Sequence, residues 1–159
     1  MKQVQRLTVL LALLSAACAP TIMPAGPVIR APDLTGKALI ATDGAVLPVR
    51  IWRPKAAPKA IVIGLHGFND YSNAFAGPAE YWAARGIATY AYDQRGFGAA
   101  PHVGRWAGAQ TMVDDALEMA RQARRRHPGV PLYFVGVSMG GAVAMLAMTR
   151  GGVDKIVVD

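Results

Sequence analysis

The apolar positions of the chain fall into two kinds of pattern, and these define its expected elements. Ala60–Leu65, Ile87–Tyr92 and Leu132–Val137 are continuously apolar, rich in β-branched or aromatic residues and bounded by turn residues. Such runs suit strands buried on both faces, as in a parallel sheet. Lys155–Val158 is a fourth run of this kind. Ala38–Ala41 and Val46–Trp52 flank Thr42-Asp43-Gly44-Ala45, and Asp-Gly between apolar runs predicts an antiparallel hairpin. Pro48 is expected to keep the second hairpin strand near an edge. Helical spacing predicts helices over Ala79–Arg85, Thr111–Arg126 and Gly140–Thr149. The second of these places Val113, Ala116, Leu117, Ala120 and Ala123 on one face. Its acids, Asp114 and Asp115, lie near the expected start and its arginines at the end, as a helix dipole favours. The third is small and apolar throughout, so it is expected to be buried. Strands alternating with helices predict an α/β fold with a mostly parallel sheet and helices on both of its faces.

The N-terminus follows neither pattern. Lys2 and Arg6 precede the apolar stretch Leu7–Leu14, and Ser15-Ala16-Ala17 then leads to Cys18. A basic start, a short apolar core and small residues predict an export signal over 1–18. The apolar stretch is too short to span a bilayer, which takes about 20 residues. The segment resembles a bacterial lipoprotein signal, which makes Cys18 a candidate lipidation site; Ser15 stands where that signal usually has an aliphatic residue. Residues 19–37 carry Pro20, Pro24, Pro27 and Pro32 and read as a tether without regular structure. Export to the bacterial cell envelope, with membrane attachment through Cys18, is the expected location.

Composition narrows the functional classes. At 53% hydrophobic, the chain exceeds the ~45–50% of ordinary globular proteins and is not disordered. A single cysteine excludes a disulfide scaffold. The formal charge of +7 invites a nucleic-acid reading. Setting Lys2 and Arg6 aside leaves fifteen basic side chains against ten acidic ones, dense only at Arg124-Arg125-Arg126. Aromatic-plus-basic surface motifs are absent, so no nucleic-acid partner is expected.

Three motifs carry the chemistry, each after an expected strand. Gly136-Val137-Ser138-Met139-Gly140 is G-x-S-x-G between a strand and a small-residue helix. The flanking glycines permit a tight turn that leaves the Ser138 hydroxyl clear, facing helix N-terminal N–H groups. His66-Gly67-Phe68-Asn69-Asp70 follows the strand ending at Leu65, a position that supplies a second backbone donor, here Phe68. His66 is read as ordering that loop rather than as a general base. Asp93-Gln94-Arg95-Gly96-Phe97-Gly98 lacks the lysine and glycine order of a phosphate loop, so Asp93 and Arg95 are read as bracing a turn. His102 and His127 are isolated, and no histidine pair has metal spacing, so neither metal nor cofactor is expected.

His66-Gly67, the run from Asp93 to Gly98, and Gly136 to Gly141 together resemble the ordered signatures of α/β-hydrolases. They are most similar to the monoacylglycerol lipase and lysophospholipase branch, grouped with serine aminopeptidases; Val137 stands where that branch usually has histidine. The resemblance covers Ala38 to Asp159. It implies Ser138 as nucleophile, Phe68 and Met139 N–H groups as the oxyanion hole, and small-molecule or lipid esters as substrates. It also implies a triad order of serine, acid, histidine. Only 21 residues follow Ser138, with Asp154 and Asp159 and no histidine. The expectation is therefore the N-terminal part of a hydrolase over 38–159, stopping after the strand that follows the nucleophile helix. The alternative is a non-catalytic envelope protein that keeps the pocket. Oligomeric state has no signal in the sequence.

Overall fold

The computed structural model describes residues 21–151 and the backbone of 155–158. The expected export signal and Cys18 lie outside the described residues. Seven strands, β1 (Asp33–Leu34), β2 (Ala38–Ile40), β3 (Val46–Trp52), β4 (Ala60–Leu65), β5 (Ile87–Tyr92), β6 (Leu132–Gly136) and β7 (Lys155–Val158), form one sheet in the order β1-β2-β3-β5-β4-β6-β7. The first three and the β3–β5 pair are antiparallel. The pairs β4–β5, β4–β6 and β6–β7 are parallel. The four continuously apolar runs thus form the parallel part of the sheet.

Helix α1 (Ala76–Ala83) follows a 3-10 turn at Ser72–Phe75; α2 spans Ala109–Arg126 and α3 spans Met139–Met148. Alternating side chains divide the core between the two sheet faces. Ile61, Ile63, Leu65, Tyr90, Tyr92 and Phe134 pack with Met112, Ala116, Ala120 and Ala144 of α2 and α3. Ala91, one residue out of phase with Tyr90 and Tyr92, packs on the other face with Phe75 and Ala79 of the α1 region. The five residues expected on one face of α2 are all buried.

Four local expectations need correction. Pro48 does not mark an edge, because β3 lies inside the sheet. Val46–Pro48 pair with β2 and Val49–Trp52 pair with β5, so Pro48 sits where the ladder changes partner and its missing N–H does no harm. Helix α2 begins two residues early, at Ala109, which puts Asp114 and Asp115 beyond the first turn that feels the dipole. They serve side-chain partners instead, Arg150 and Arg95. Helix α3 is buried on one face only, with Met145 and Leu146 exposed. The stretch read as a tether is fastened to the domain: Asp33–Leu34 pair with β2, and Ile29 N–H donates to the Thr42 carbonyl at 2.9 Å. Two apolar-polar residues are too short to leave a periodic signal.

Candidate active site

The turn from β6 into α3 is set by close contacts that only glycine permits. A Cβ on Gly140 would overlap the Leu65 carbonyl oxygen, and one on Gly136 would overlap the Gly140 carbonyl oxygen. With both side chains absent, α3 starts directly against the end of β4. Between the glycines Ser138 adopts φ 51° and ψ −112°, a region that residues with a Cβ avoid at a cost of about 1–3 kcal/mol. Gly140 N–H donates to the Val137 carbonyl at 2.8 Å, and Ala142 N–H donates to the Ser138 carbonyl at 3.1 Å. The first N–H groups of α3, Met139 included, lie before the helical ladder starts.

Strand register brings the second loop to the same place. Leu65 pairs with Gly136 across β4 and β6, and Val137 N–H donates to the Leu65 carbonyl at 3.0 Å. The residues that follow, Gly67 and Ser138, therefore come side by side. A methyl on Gly67 would stand 3.7 Å from Ser138 Cβ. Phe68 is the next residue; its ring is exposed and meets Phe97 edge-on at 5.3 Å between centroids. A cavity of about 150 Å³ opens there, lined by Phe68, Asn69, Phe97, Arg105 and Trp106 among others. A wider depression of about 540 Å³ lies over β3 between Lys37, Arg50 and Tyr71, and Ser138, Gly67 and Phe68 do not line it.

His66 is fully buried and both of its ring nitrogens are engaged. Nδ1 lies 2.8 Å from the Gly67 carbonyl oxygen. Nε2 accepts from Gln94 N–H at 3.0 Å, which assigns the proton to Nδ1. Gln94 Nε2 returns a bond to the His66 carbonyl at 2.9 Å. Burial pushes the His66 pKa below its usual 6.5, against the opposing pull of the Gly67 carbonyl. The ring is thus a neutral tie between two loops, with no nitrogen left for proton transfer. His127 meets Tyr90 Oη through Nε2 at 2.7 Å, and His102 stands exposed in the loop after β5.

The loop after β5 is braced by charge. Asp93 accepts the N–H of Ser72 and of Ala99, each at 2.9 Å. Arg95 is buried and forks to two carboxylates. Its Nη1 and Nη2 reach Asp43 at 2.6 and 3.0 Å. Its Nε and Nη2 reach Asp115 at 2.6 and 3.1 Å. The Arg95 guanidinium holds the Asp43 carboxyl down at about 2, outweighing burial. For Asp115 burial is the larger influence and lifts the carboxyl despite the same arginine. Sequence context assigned Asp115 to the helix dipole and gave Gln94 no role of its own. Asp43 had a sufficient local role in its hairpin turn, and the only signal for a partner is that a buried arginine needs one. Among the described residues no group of three or more His, Cys, Asp or Glu is placed to hold a metal ion.

Residues 56–157 match the family described as serine aminopeptidase, S33. The chain is 29% identical over 109 residues to the monoglyceride lipase of Homo sapiens, covering 68% of this chain and 36% of that protein. The fold matches a soluble variant of the monoglyceride lipase from Saccharomyces cerevisiae with TM-score 0.66 and 21% identity, over 86% of this chain and 47% of that one. It matches a carboxyl esterase from Bacillus coagulans with TM-score 0.65 and 23% identity, over 72% and 39% of the two chains. The chain thus spans about a third of the length of the human relative. Sheet order, glycine-bounded serine turn and the match over 56–157 converge: the chain has the α/β-hydrolase fold and belongs to the serine aminopeptidase S33 family.

Proposed function

We propose that the protein is a serine hydrolase of carboxylic esters, lipid esters among them. Ser138 attacks the ester carbonyl, and the N–H groups of Phe68 and Met139 hold the oxyanion that forms. The observation that carries this reading is the strained Ser138 backbone at the end of β6, adjoining Gly67. A residue is kept in such a conformation where the surrounding structure over-determines it, and functional turns are where these outliers cluster. The monoglyceride lipase relatives support esters as the substrate class.

Serine is a weak nucleophile without an adjacent base. His66 has both nitrogens bonded, His127 is paired with Tyr90, and His102 is exposed in the loop after β5 with no contact to Ser138 among the described hydrogen bonds; we assign the acid and base to residues outside these 159. The test has two arms. The 159-residue chain should hydrolyse a short activated ester no faster than its Ser138→Ala variant; turnover well above that variant overturns the assignment of the base. A longer reading frame with a late acid and histidine should give an enzyme that loses at least about 10³-fold in rate on Ser138→Ala. Equal rates there remove Ser138 from the mechanism, and a frame that stops at codon 159 with an inert product returns the non-catalytic reading.

The leader and Cys18 further support a location in the bacterial envelope with a lipid anchor on Cys18. Cys18→Ser should then release the protein from the membrane fraction or block its processing. A wild type that is soluble and cleaved elsewhere removes the anchor.

A further inference from the structure

The peptide unit between Gly67 and Phe68 has a carbonyl on one side and the Phe68 N–H on the other. It is trans and planar, so the two groups point in opposite directions. Whatever holds the Gly67 carbonyl therefore aims the Phe68 N–H. Two donors hold it. His66 Nδ1–H donates to it at 2.8 Å. Asp70 N–H donates to it at 3.3 Å, closing a turn in which Asn69 takes a left-handed φ of 58°. Among the described residues no hydrogen bond engages the Phe68 N–H. The His66 ring would lose its grip on the carbonyl if it turned over or moved its proton, and Gln94 opposes both. Gln94 N–H donates to His66 Nε2 at 3.0 Å, so Nε2 stays bare and the proton stays on Nδ1. The Gln94 side chain donates to the His66 carbonyl at 2.9 Å, and Phe97 closes on the ring edge-on at 5.6 Å between centroids. Gln94 Oε1 is buried without a partner among the described residues. An apolar side chain of the same shape would avoid that cost, so packing alone does not explain the amide.

We propose that Gln94 and His66 are positioning residues for the oxyanion donor: Gln94 fixes the His66 proton on Nδ1, and that N–H fixes the peptide that presents the Phe68 N–H. This deepens the ester-hydrolase reading and rests on it for the use of the donor; the bonds that hold the peptide do not depend on it. A donor set in place before the reaction needs no reorganisation when charge develops on the ester oxygen. The arrangement also makes the donor sensitive to acid. A second proton on His66 lands on Nε2 and faces the Gln94 N–H, donor against donor, so the ring must leave Gln94. Burial, the larger influence, resists that proton; the Gly67 carbonyl and the charges of Asp93 and Asp70 invite it. The peptide is therefore held at neutral pH and released in acid.

Nitrogen-15 relaxation of the 159-residue chain reads the order of the Phe68 N–H directly, with Ile63 in β4 as the rigid reference. At neutral pH the wild type should give an order parameter of about 0.85 at Phe68, and the imidazole spectrum should place the His66 proton on Nδ1. Gln94→Met keeps the shape and removes the amide, and His66→Leu removes the ring donor. Each should lower Phe68 below about 0.6 with Ile63 unchanged. His66→Asn sets an amide nitrogen in the place of Nδ1 and does not titrate. It should keep the wild-type order at Phe68, and keep it one pH unit below the wild-type His66 midpoint, where the wild type loses it. A wild-type proton on Nε2, unchanged order at Phe68 in Gln94→Met or His66→Leu, or an Asn variant as mobile as the Leu variant overturns the proposal. Where His66→Leu fails to fold, Gln94→Met and the wild-type titration decide: order at Phe68 that ignores either one overturns it. Ser138→Ala should leave all of these readings unchanged, and none involves turnover, so failure of the positioning and failure of the catalytic reading are distinguishable.

Discussion

At Ser138 the cost of a functional conformation is concentrated in one residue. Glycine adopts φ 51°, ψ −112° without a clash, so Ser138→Gly should stabilise the protein by about 1 kcal/mol after glycine's own entropic penalty. Ser138→Ala keeps the Cβ and should not; denaturant melts of the two variants separate them. At Arg95 the balance is the reverse. Its removal leaves Asp43 and Asp115 buried and unpaired, and Arg95→Met should cost about 3–5 kcal/mol. The Asp43 carboxyl falls from 3.8 to about 2 on folding. Its contribution, about 2 kcal/mol, is therefore full above pH ~4 and lost as pH falls through ~2. Asp43→Asn should flatten this acid limb in unfolding measured from pH 5 to 2. His66 adds a separate loss at milder acidity. Its folded pKa lies below 6.5, so the unfolded chain takes up the proton first and stability declines as pH drops below 6.5.

At the scale of elements, α3 meets β4 through glycine alone. Gly140→Ala would push a methyl into the Leu65 carbonyl, with backbone rather than a flexible side chain in the way. The expected loss is about 3 kcal/mol or more, read as a lowered midpoint or as failure to fold. The same contact explains what was legible beforehand. The runs at 60–65, 87–92 and 132–137 announced strands through unbroken apolar character, and G-x-S-x-G between strand and helix announced the turn. The placing of β4 between β5 and β6 is not written in any local pattern, because pairing partners are chosen by the packed sheet. The bond from Arg95 to Asp43 spans 52 positions, and nothing near either residue specifies the other. Pro48 misled because a proline inside a sheet is tolerated where a strand changes partners, which depends on the neighbours' lengths.

For the molecule as a whole, the outermost strands among those described are β1 and β7. Among the described residues no strand pairs with the far ladder of β7, whose sequence is Lys155-Ile156-Val157-Val158. Unprotected edges of this kind pair with one another. The chain should self-associate in a concentration-dependent way by light scattering after size exclusion, and Val157→Lys should reduce that association. Self-association that is insensitive to the substitution would place the contact elsewhere.

The central position of β4 also governs how the protein can be made. Its partner β5 is complete at Tyr92, but β6 begins only at Leu132. At about 5–20 residues per second, a ribosome needs about 2–8 s to add the thirty-nine residues between them. Throughout that interval the nascent sheet has its most apolar strand open along one side. Synthesis slowed between codons 92 and 132 prolongs the exposure, and the fraction of chains lost to aggregates rises with it.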